Sequence, residues 1–116
     1  MMLDWNEYRK QIAAEVAEIA KISPDTVRGY AQISAAGAKT GHLDPKTREL
    51  IALAVAVTRQ CDGCITVHTD AAVKHGATRE EIMEALGVAV AINAGAALVY
   101  SARAMDALTA RLQPPG

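Results

Sequence analysis

Two cysteines, a histidine and a glutamate lie within twenty residues of one another and are the residues best suited to chemistry. Cys61 and Cys64 are the only cysteines of the 116-residue chain, and they form a single Cys-x-x-Cys pair that can make and break a disulfide. His68 follows four residues after the second sulfur, and Glu49 precedes the first by twelve. Two sulfurs, a base and a carboxylate predict a dithiol redox site.

The two cysteines are expected at the beginning of a helix that continues to His75. Unpaired backbone N–H groups and the helix dipole favour an anion at that end, and a thiol reacts as its thiolate. Because Cys64 and His68 are four residues apart, they share one helical face. His68 can therefore polarise or deprotonate the Cys64 sulfur.

Glu49 can take part only if the chain folds back on itself. One continuous helix would hold Glu49 roughly 18 Å from Cys61, which is too far to act. A reversal near residues 60–62 instead brings Glu49 beside residues 68–72 of an antiparallel helix, where it would contact His68 rather than the sulfurs. The order carboxylate, imidazole, thiol is that of an activated nucleophile.

The same residues allow two less specific interpretations. A lone Cys-x-x-Cys can be structural or incidental. It can also be part of a zinc site, with Cys61, Cys64 and His68 as ligands and Glu49 as the fourth, although the sequence has no second Cys/His pair to complete a structural site.

Helix-start signals and apolar periodicity predict an all-α domain. Ser23-Pro24, Asp44-Pro45 and the capping box Thr78-x-x-Glu81 are typical helix starts. The apolar run Leu50–Val57 is also compatible with a buried strand, but its flanking residues favour a helix. With a break at Asn93-Ala94-Gly95, the sequence predicts one domain over residues 1–116 with six helices: 4–21, 23–39, 44–58, 61–75 and two between 80 and 112.

Composition and charge exclude several classes of partner. The net charge of −1 and the absence of a basic run argue against nucleic acid and membrane surfaces. The charged N-terminus is not a signal peptide, and the apolar stretch Leu86–Tyr100 is shorter than the roughly 20 residues that span a bilayer. We therefore expect a cytoplasmic protein without membrane contact. In this reducing compartment, a lone Cys-x-x-Cys is catalytic or metal-binding more often than structural.

The apolar residues also predict self-association. The chain has 24 alanines and no phenylalanine, so its core must be thin because alanine buries little area. The stretch Leu86–Tyr100 has more apolar surface than one small domain needs, which predicts a homo-oligomer.

At these residues the chain resembles the carboxymuconolactone decarboxylase-like superfamily, and in particular its alkylhydroperoxidase AhpD-like branch. The shared pattern is Glu-x11-Cys-x-x-Cys-x3-His, met by Glu49, Cys61, Cys64 and His68. The likeness covers about residues 20–110 and includes the flanking segments Leu43–Leu50, His75–Ile82 and Leu98–Arg103.

The resemblance implies an antioxidant protein that assembles as a hexamer or a trimer and reduces peroxides or disulfides. Cys64 would attack the small-molecule oxidant, Cys61 would resolve the product, and Glu49 and His68 would relay the proton. No cofactor would be bound, and a lipoyl-type dithiol, carried by a lipoyl-bearing or other dithiol protein, would be the electron donor. Gly63 stands where well-characterised peroxidase members have a histidine.

Two alternatives to this function follow from the same family and residues. The first is a non-redox enzyme of the carboxymuconolactone decarboxylase type. The second is a non-catalytic metal-binding or assembly module.

Overall fold

The fold consists of five α-helices. The computed structural model describes residues 1–115. Its helices are α1 (Trp5–Ile22), α2 (Pro24–Thr40), α3 (Pro45–Arg59), α4 (Asp62–Lys74) and α5 (Arg79–Leu112). The predicted all-α class is therefore confirmed, and residues 50–57 lie in a helix and not in a strand.

Most of the predicted helix starts are stabilised by the expected side chains. Asp44 accepts a hydrogen bond from the backbone N–H of Thr47, which holds the pKa of its carboxyl below the ordinary value. Thr78 and Glu81 form the reciprocal capping box at the start of α5. Ser23 differs, because its hydroxyl lies 2.7 Å from the hydroxyl of Thr26 and makes no side-chain cap, although α2 does begin at Pro24.

The prediction of six helices is wrong, because α5 continues through Asn93-Ala94-Gly95 without a break. Asn93 Nδ2 donates to the carbonyl of Ala89 at 2.7 Å, one turn back, and to Thr58 Oγ1 of α3 at 2.8 Å. The asparagine thus joins two helices instead of ending one. A single glycine does not stop a helix that has no proline, and α5 extends for 34 residues, or about 51 Å.

The interior of the chain is small. Among residues 1–115, the buried side chains are Leu53, Ala56, Thr66, Ala72 and Ala89. The four apolar ones belong to α3, α4 and α5, which pack together with α3 in contact with both others. Thr66 lies instead where α4 meets α1, and α1 also packs against α2. One leucine and three alanines remove little apolar area from water, so this core alone stabilises the fold weakly.

The chain is much more extended than a compact domain of its size. Its radius of gyration is 19.7 Å and its dimensions are 61 × 39 × 37 Å. A compact chain of this length has a radius of gyration of about 13 Å. The end of α5 accounts for part of the extension, because residues 96–112 are all exposed.

The apolar part of helix α5 is longer than the stretch of residues 86–100 on which the sequence prediction was based. It contains an 18-residue window with mean hydropathy 1.9, of which 6% is buried. By length and composition it is the one helix within residues 1–115 that could cross a membrane, a property that core helices of soluble proteins also have.

Candidate redox site

Cys61 and Cys64 form a disulfide at the start of α4. Cys61 is the N-cap residue, and its Sγ accepts a hydrogen bond from the backbone N–H of Cys64 at 3.2 Å. The two α-carbons are 5.2 Å apart, within the range that a disulfide requires. The sulfur pair therefore lies at the positive end of the helix, as the sequence predicted.

The turn before the cysteines reverses the chain. Gln60 ends α3 in the left-handed conformation, with φ of 53°. The backbone N–H of Cys61 then donates a hydrogen bond to the carbonyl of Ala56 at 3.2 Å. This bond holds residues 61–64, which we call the cysteine loop, against the last turn of α3. This reversal packs α4 antiparallel to α3.

The reversal brings Glu49 to His68. Glu49 Oε2 lies 2.6 Å from His68 Nδ1, so the contact predicted from the sequence is present. Both side chains are half-buried, at 21% and 29% exposure. A carboxylate at Nδ1 favours the tautomer that carries its proton there, which leaves Nε2 free to accept or deliver a proton.

The sulfurs and the imidazole line one cavity of about 670 Å³. Its lining includes Cys61, Cys64, Val67 and His68, and further lining residues come from helices α1 and α2. These further residues are mainly apolar or aromatic and include Tyr8, Ile12, Ala13, Val16 and Tyr30. Both cysteines and His68 therefore border the same cavity.

A second cavity of about 530 Å³ lies on the other side of the Glu49–His68 pair. His68 lines both cavities, while Glu49, Arg48 and His75 line the second one. The hydrogen-bonded pair thus forms part of the wall between them.

The metal interpretation receives no support from the geometry of the described residues. Within residues 1–115, no three His, Cys, Asp or Glu side chains are arranged to hold a metal ion. The two sulfurs that a zinc site would need are bonded to each other.

Comparison with known proteins places this site in a family. Residues 24–107 match the carboxymuconolactone decarboxylase family. The chain belongs to that family. The matched residues include helices α2, α3 and α4, and therefore Glu49, His68 and both cysteines.

Several known proteins are similar to most of the chain. An uncharacterised protein of Haemophilus influenzae is 45% identical over 107 residues, which are 92% of this chain and 95% of the relative. An uncharacterised protein of Cupriavidus necator is 30% identical over 95% of this chain and its own full length. A family protein of Legionella pneumophila has a crystal structure that matches with a TM-score of 0.72 at 43% identity, over 89% of this chain and 92% of that one.

The family match leaves out helix α1, which sequence reasoning also failed to connect with the site. Tyr8, Ile12 and Val16 recur at four-residue spacing on α1 and line the cavity above the sulfurs. Their spacing predicted only an amphipathic helix. Nothing in the local sequence indicates which part of the protein such a helix covers, so these residues could not be assigned to the site.

Proposed function

We propose that the protein is a dithiol–disulfide oxidoreductase of the AhpD-like branch that reduces hydroperoxides or small disulfides. The observation that carries the proposal is the Cys61–Cys64 disulfide at a helix N-terminus, in one cavity with an imidazole that is bonded to a carboxylate. Reversible disulfide chemistry needs a sulfur pair, stabilisation of a thiolate and a proton carrier, and this cavity contains all three.

In the proposed oxidative half-reaction, the Cys64 thiolate attacks one oxygen of the hydroperoxide. A sulfur–oxygen bond forms, the oxygen–oxygen bond breaks, and the alkoxide leaves as an alcohol with a proton from His68. Cys64 is then a sulfenic acid. The Cys61 thiol gives its proton to His68, and the resulting thiolate attacks that sulfur. The sulfur–sulfur bond forms, the sulfur–oxygen bond breaks, and the hydroxide takes the proton from His68 and leaves as water.

In the reductive half-reaction, an external dithiol restores the two thiols. One of its thiolates attacks the Cys64 sulfur, and Cys61 leaves as a thiolate. The Cys64 N–H already points at Cys61 Sγ from 3.2 Å, so it stabilises the charge that Cys61 acquires on leaving. The second thiol of the donor then releases Cys64 and becomes a disulfide. A lipoyl-type dithiol has the two linked thiols that this exchange needs.

Single cysteine variants test the proposal and the two roles. We expect Cys64→Ser to reduce hydroperoxide-dependent oxidation of dihydrolipoamide to the level of the double variant C61S/C64S. Cys61→Ser should instead accumulate a sulfenic acid at Cys64 that dimedone traps and intact mass detects. Turnover that survives in Cys64→Ser would contradict the assignment. Activity on a lactone acid that survives alkylation of both thiols would favour the decarboxylase alternative.

We also propose that the protein is a homo-oligomer, a hexamer or a trimer, assembled through α5. The support is the apolar residues that α5 leaves uncovered, since Leu98 is 76% exposed, Val99 74% and Leu112 71%. An apolar surface of this extent on an extended chain with a small core is typical of an interface. A second copy of the same helix would cover it without exposing polar backbone.

A further inference from the structure

Helix α1 lies directly over the cysteine loop. A β-carbon built on Gly63, between the two cysteines, would stand 3.9 Å from both Cγ1 and Cγ2 of Ile12. That is an ordinary van der Waals separation, so Ile12 and the loop are already close to contact. Alanine would fit at position 63, whereas a longer side chain directed at α1 would compete with Ile12 for the same space.

Polar contacts at its N-terminal end hold α1 in this position. Thr66 of α4 is 3% exposed, and its hydroxyl donates to the carbonyl of Trp5 at 3.1 Å. The same hydroxyl accepts from Arg9 Nη1 at 3.4 Å, and Arg9 Nη2 is 4.0 Å from Asp70. Buried polar contacts of this kind fix the orientation of a helix more narrowly than apolar contacts do.

With its first turns fixed on α4, α1 extends along the cavity. Tyr8, Ile12 and Val16 are spaced four residues apart and therefore form one row, with Ile12 in the middle and nearest to the cysteine loop.

We infer that Ile12 is the specificity-determining residue of the sulfur cavity and limits the width of the molecule that reaches Cys61 and Cys64. The cavity admits a narrow apolar group attached to the reacting atom and excludes a broad one. The inference deepens the proposed function by stating which oxidants fit, but it requires only that the sulfurs react. Since α1 precedes residues 24–107, this selection is added by a segment outside the part that matches the family.

Gly63 is the counterpart of Ile12 in this arrangement. A β-carbon at position 63 would meet Ile12 at an ordinary contact distance, and further atoms directed at α1 would compete with Ile12 for space. The absence of a side chain at position 63 therefore leaves room for about one β-carbon between this turn and Ile12.

Alkylation rates measure how wide a molecule can reach Cys61 and Cys64, and they need no enzymatic turnover. The fully reduced protein is treated with N-methylmaleimide or with N-(1-pyrenyl)maleimide, which have the same reactive group and differ in width. The cysteine thiolate adds to the carbon–carbon double bond, the π bond breaks, and water supplies the proton to the neighbouring carbon. Each reaction is followed by intact mass. Its rate is divided by the rate at which the same reagent alkylates glutathione, which corrects for the intrinsic reactivity of the reagent.

We expect the wild-type protein to react with the pyrenyl reagent more slowly, relative to glutathione, than with the methyl reagent. Ile12→Ala should raise the relative pyrenyl rate about tenfold, the usual effect of removing a few carbons from an apolar pocket, and change the methyl rate little. Ile12→Phe should lower the pyrenyl rate further. Ile19→Ala makes the same change on the same helix at a 48% exposed position outside the cavity lining, and should leave both rates unchanged.

Three results would overturn the inference. The first is a wild-type protein that does not discriminate between the two reagents. The second is an equal effect of Ile12→Ala and Ile19→Ala, which would mean general loosening of α1. The third is a faster pyrenyl reaction in Ile12→Phe, because added volume can speed the reaction only by displacing the helix. Width selection in a protein that turns over neither hydroperoxides nor small disulfides would support this inference and contradict the proposed function.

Discussion

The helix pair α3–α4 and the distal part of α5, residues 96–112, differ in how far other residues of the chain cover their side chains. Between α3 and α4, the carboxylate of Glu49 meets the imidazole of His68 at 2.6 Å, and the nearby buried positions are filled from the same chain. In the distal part of α5, every residue is exposed although many are apolar. One chain therefore brings the side chains of the candidate site together by itself, whereas the apolar residues of distal α5 stay exposed in the single chain.

Because of this difference, variants of the two regions should affect different properties of the protein, reactivity in one case and assembly in the other. Changes in the α3–α4 pair should alter reactivity and leave the assembly as it is. Changes in distal α5 should alter the assembly while the disulfide chemistry of a single chain persists. A variant that moves both properties together would show that the two regions are coupled, for example by a site that is complete only in the oligomer.

Among the changes that keep both cysteines, the largest effect is expected from His68→Gln, which removes the proposed proton carrier. General acid–base groups contribute about 10²- to 10⁴-fold to rate, so turnover should fall at least about a hundredfold. Glu49→Gln keeps the shape of the side chain but removes the charge that orients the imidazole, and should have a smaller effect together with a changed pH–rate profile. Steady-state kinetics with a hydroperoxide and dihydrolipoamide, measured against pH, check both.

A matched control is His75→Gln, which changes a histidine of the second cavity that does not line the sulfur cavity. It should retain most of the turnover. Equal losses in His68→Gln and His75→Gln would contradict the role of His68, and light scattering should show the same assembly in all three variants.

The second prediction concerns the apolar surface of α5. We expect Leu98→Glu to dissociate the oligomer, because a carboxylate would have to be buried without a partner at the interface. In light scattering, the wild-type protein should have several times the 12.2 kDa mass of one chain and the variant should approach that mass. Gln11→Glu adds the same charge at an exposed position of α1 and should leave the assembly intact.

The smallest effect is expected at the ion pair that joins α3 to α5. Lys46 Nζ lies 2.7 Å from Glu81 Oε2, and this contact, helped by the backbone N–H of Thr78, lowers the pKa of Glu81 from 4.5 to about 2. A lowered pKa means that the contribution of Glu81 to stability is fully present above its ordinary pKa. It is lost as the pH falls from about 5 through about 2.

Urea unfolding across that pH range tests the ion pair. Glu81→Gln keeps an acceptor for the capping box but cannot titrate, so it should be less stable than wild type at neutral pH and should lose less stability on acidification. Asp70, whose pKa the nearby Lys74 ammonium also lowers, titrates in both proteins and cancels in the comparison. Identical pH dependence of the two proteins would show that the pair contributes nothing to stability.

The parts of the fold that sequence predicted best are those with local causes. Asp44 and Thr78 each accept a hydrogen bond from a backbone N–H three residues ahead. The starts of α3 and α5 could therefore be predicted from a few neighbouring residues. The contact between Glu49 and His68 followed from one reversal near residue 60 and the antiparallel arrangement that it forces.

The parts that were missed depend on contacts between distant segments. Asn93 was interpreted as a weak point because its bond to Thr58, 35 residues away, has no local signal. The position of α1 over the cysteines depends on Thr66, which bonds a carbonyl 61 residues earlier in the chain. Neither contact can be derived from the spacing of residues within one helix.

The measurement that tests the central claim most directly is a thiol count on the reduced protein before and after one equivalent of an alkyl hydroperoxide, by alkylation and intact mass. If Cys61 and Cys64 are a working redox couple, both thiols disappear together within the reaction time, the mass falls by about two daltons as for one disulfide, and a dithiol restores them. Two thiols that remain alkylatable after the treatment would contradict the claim.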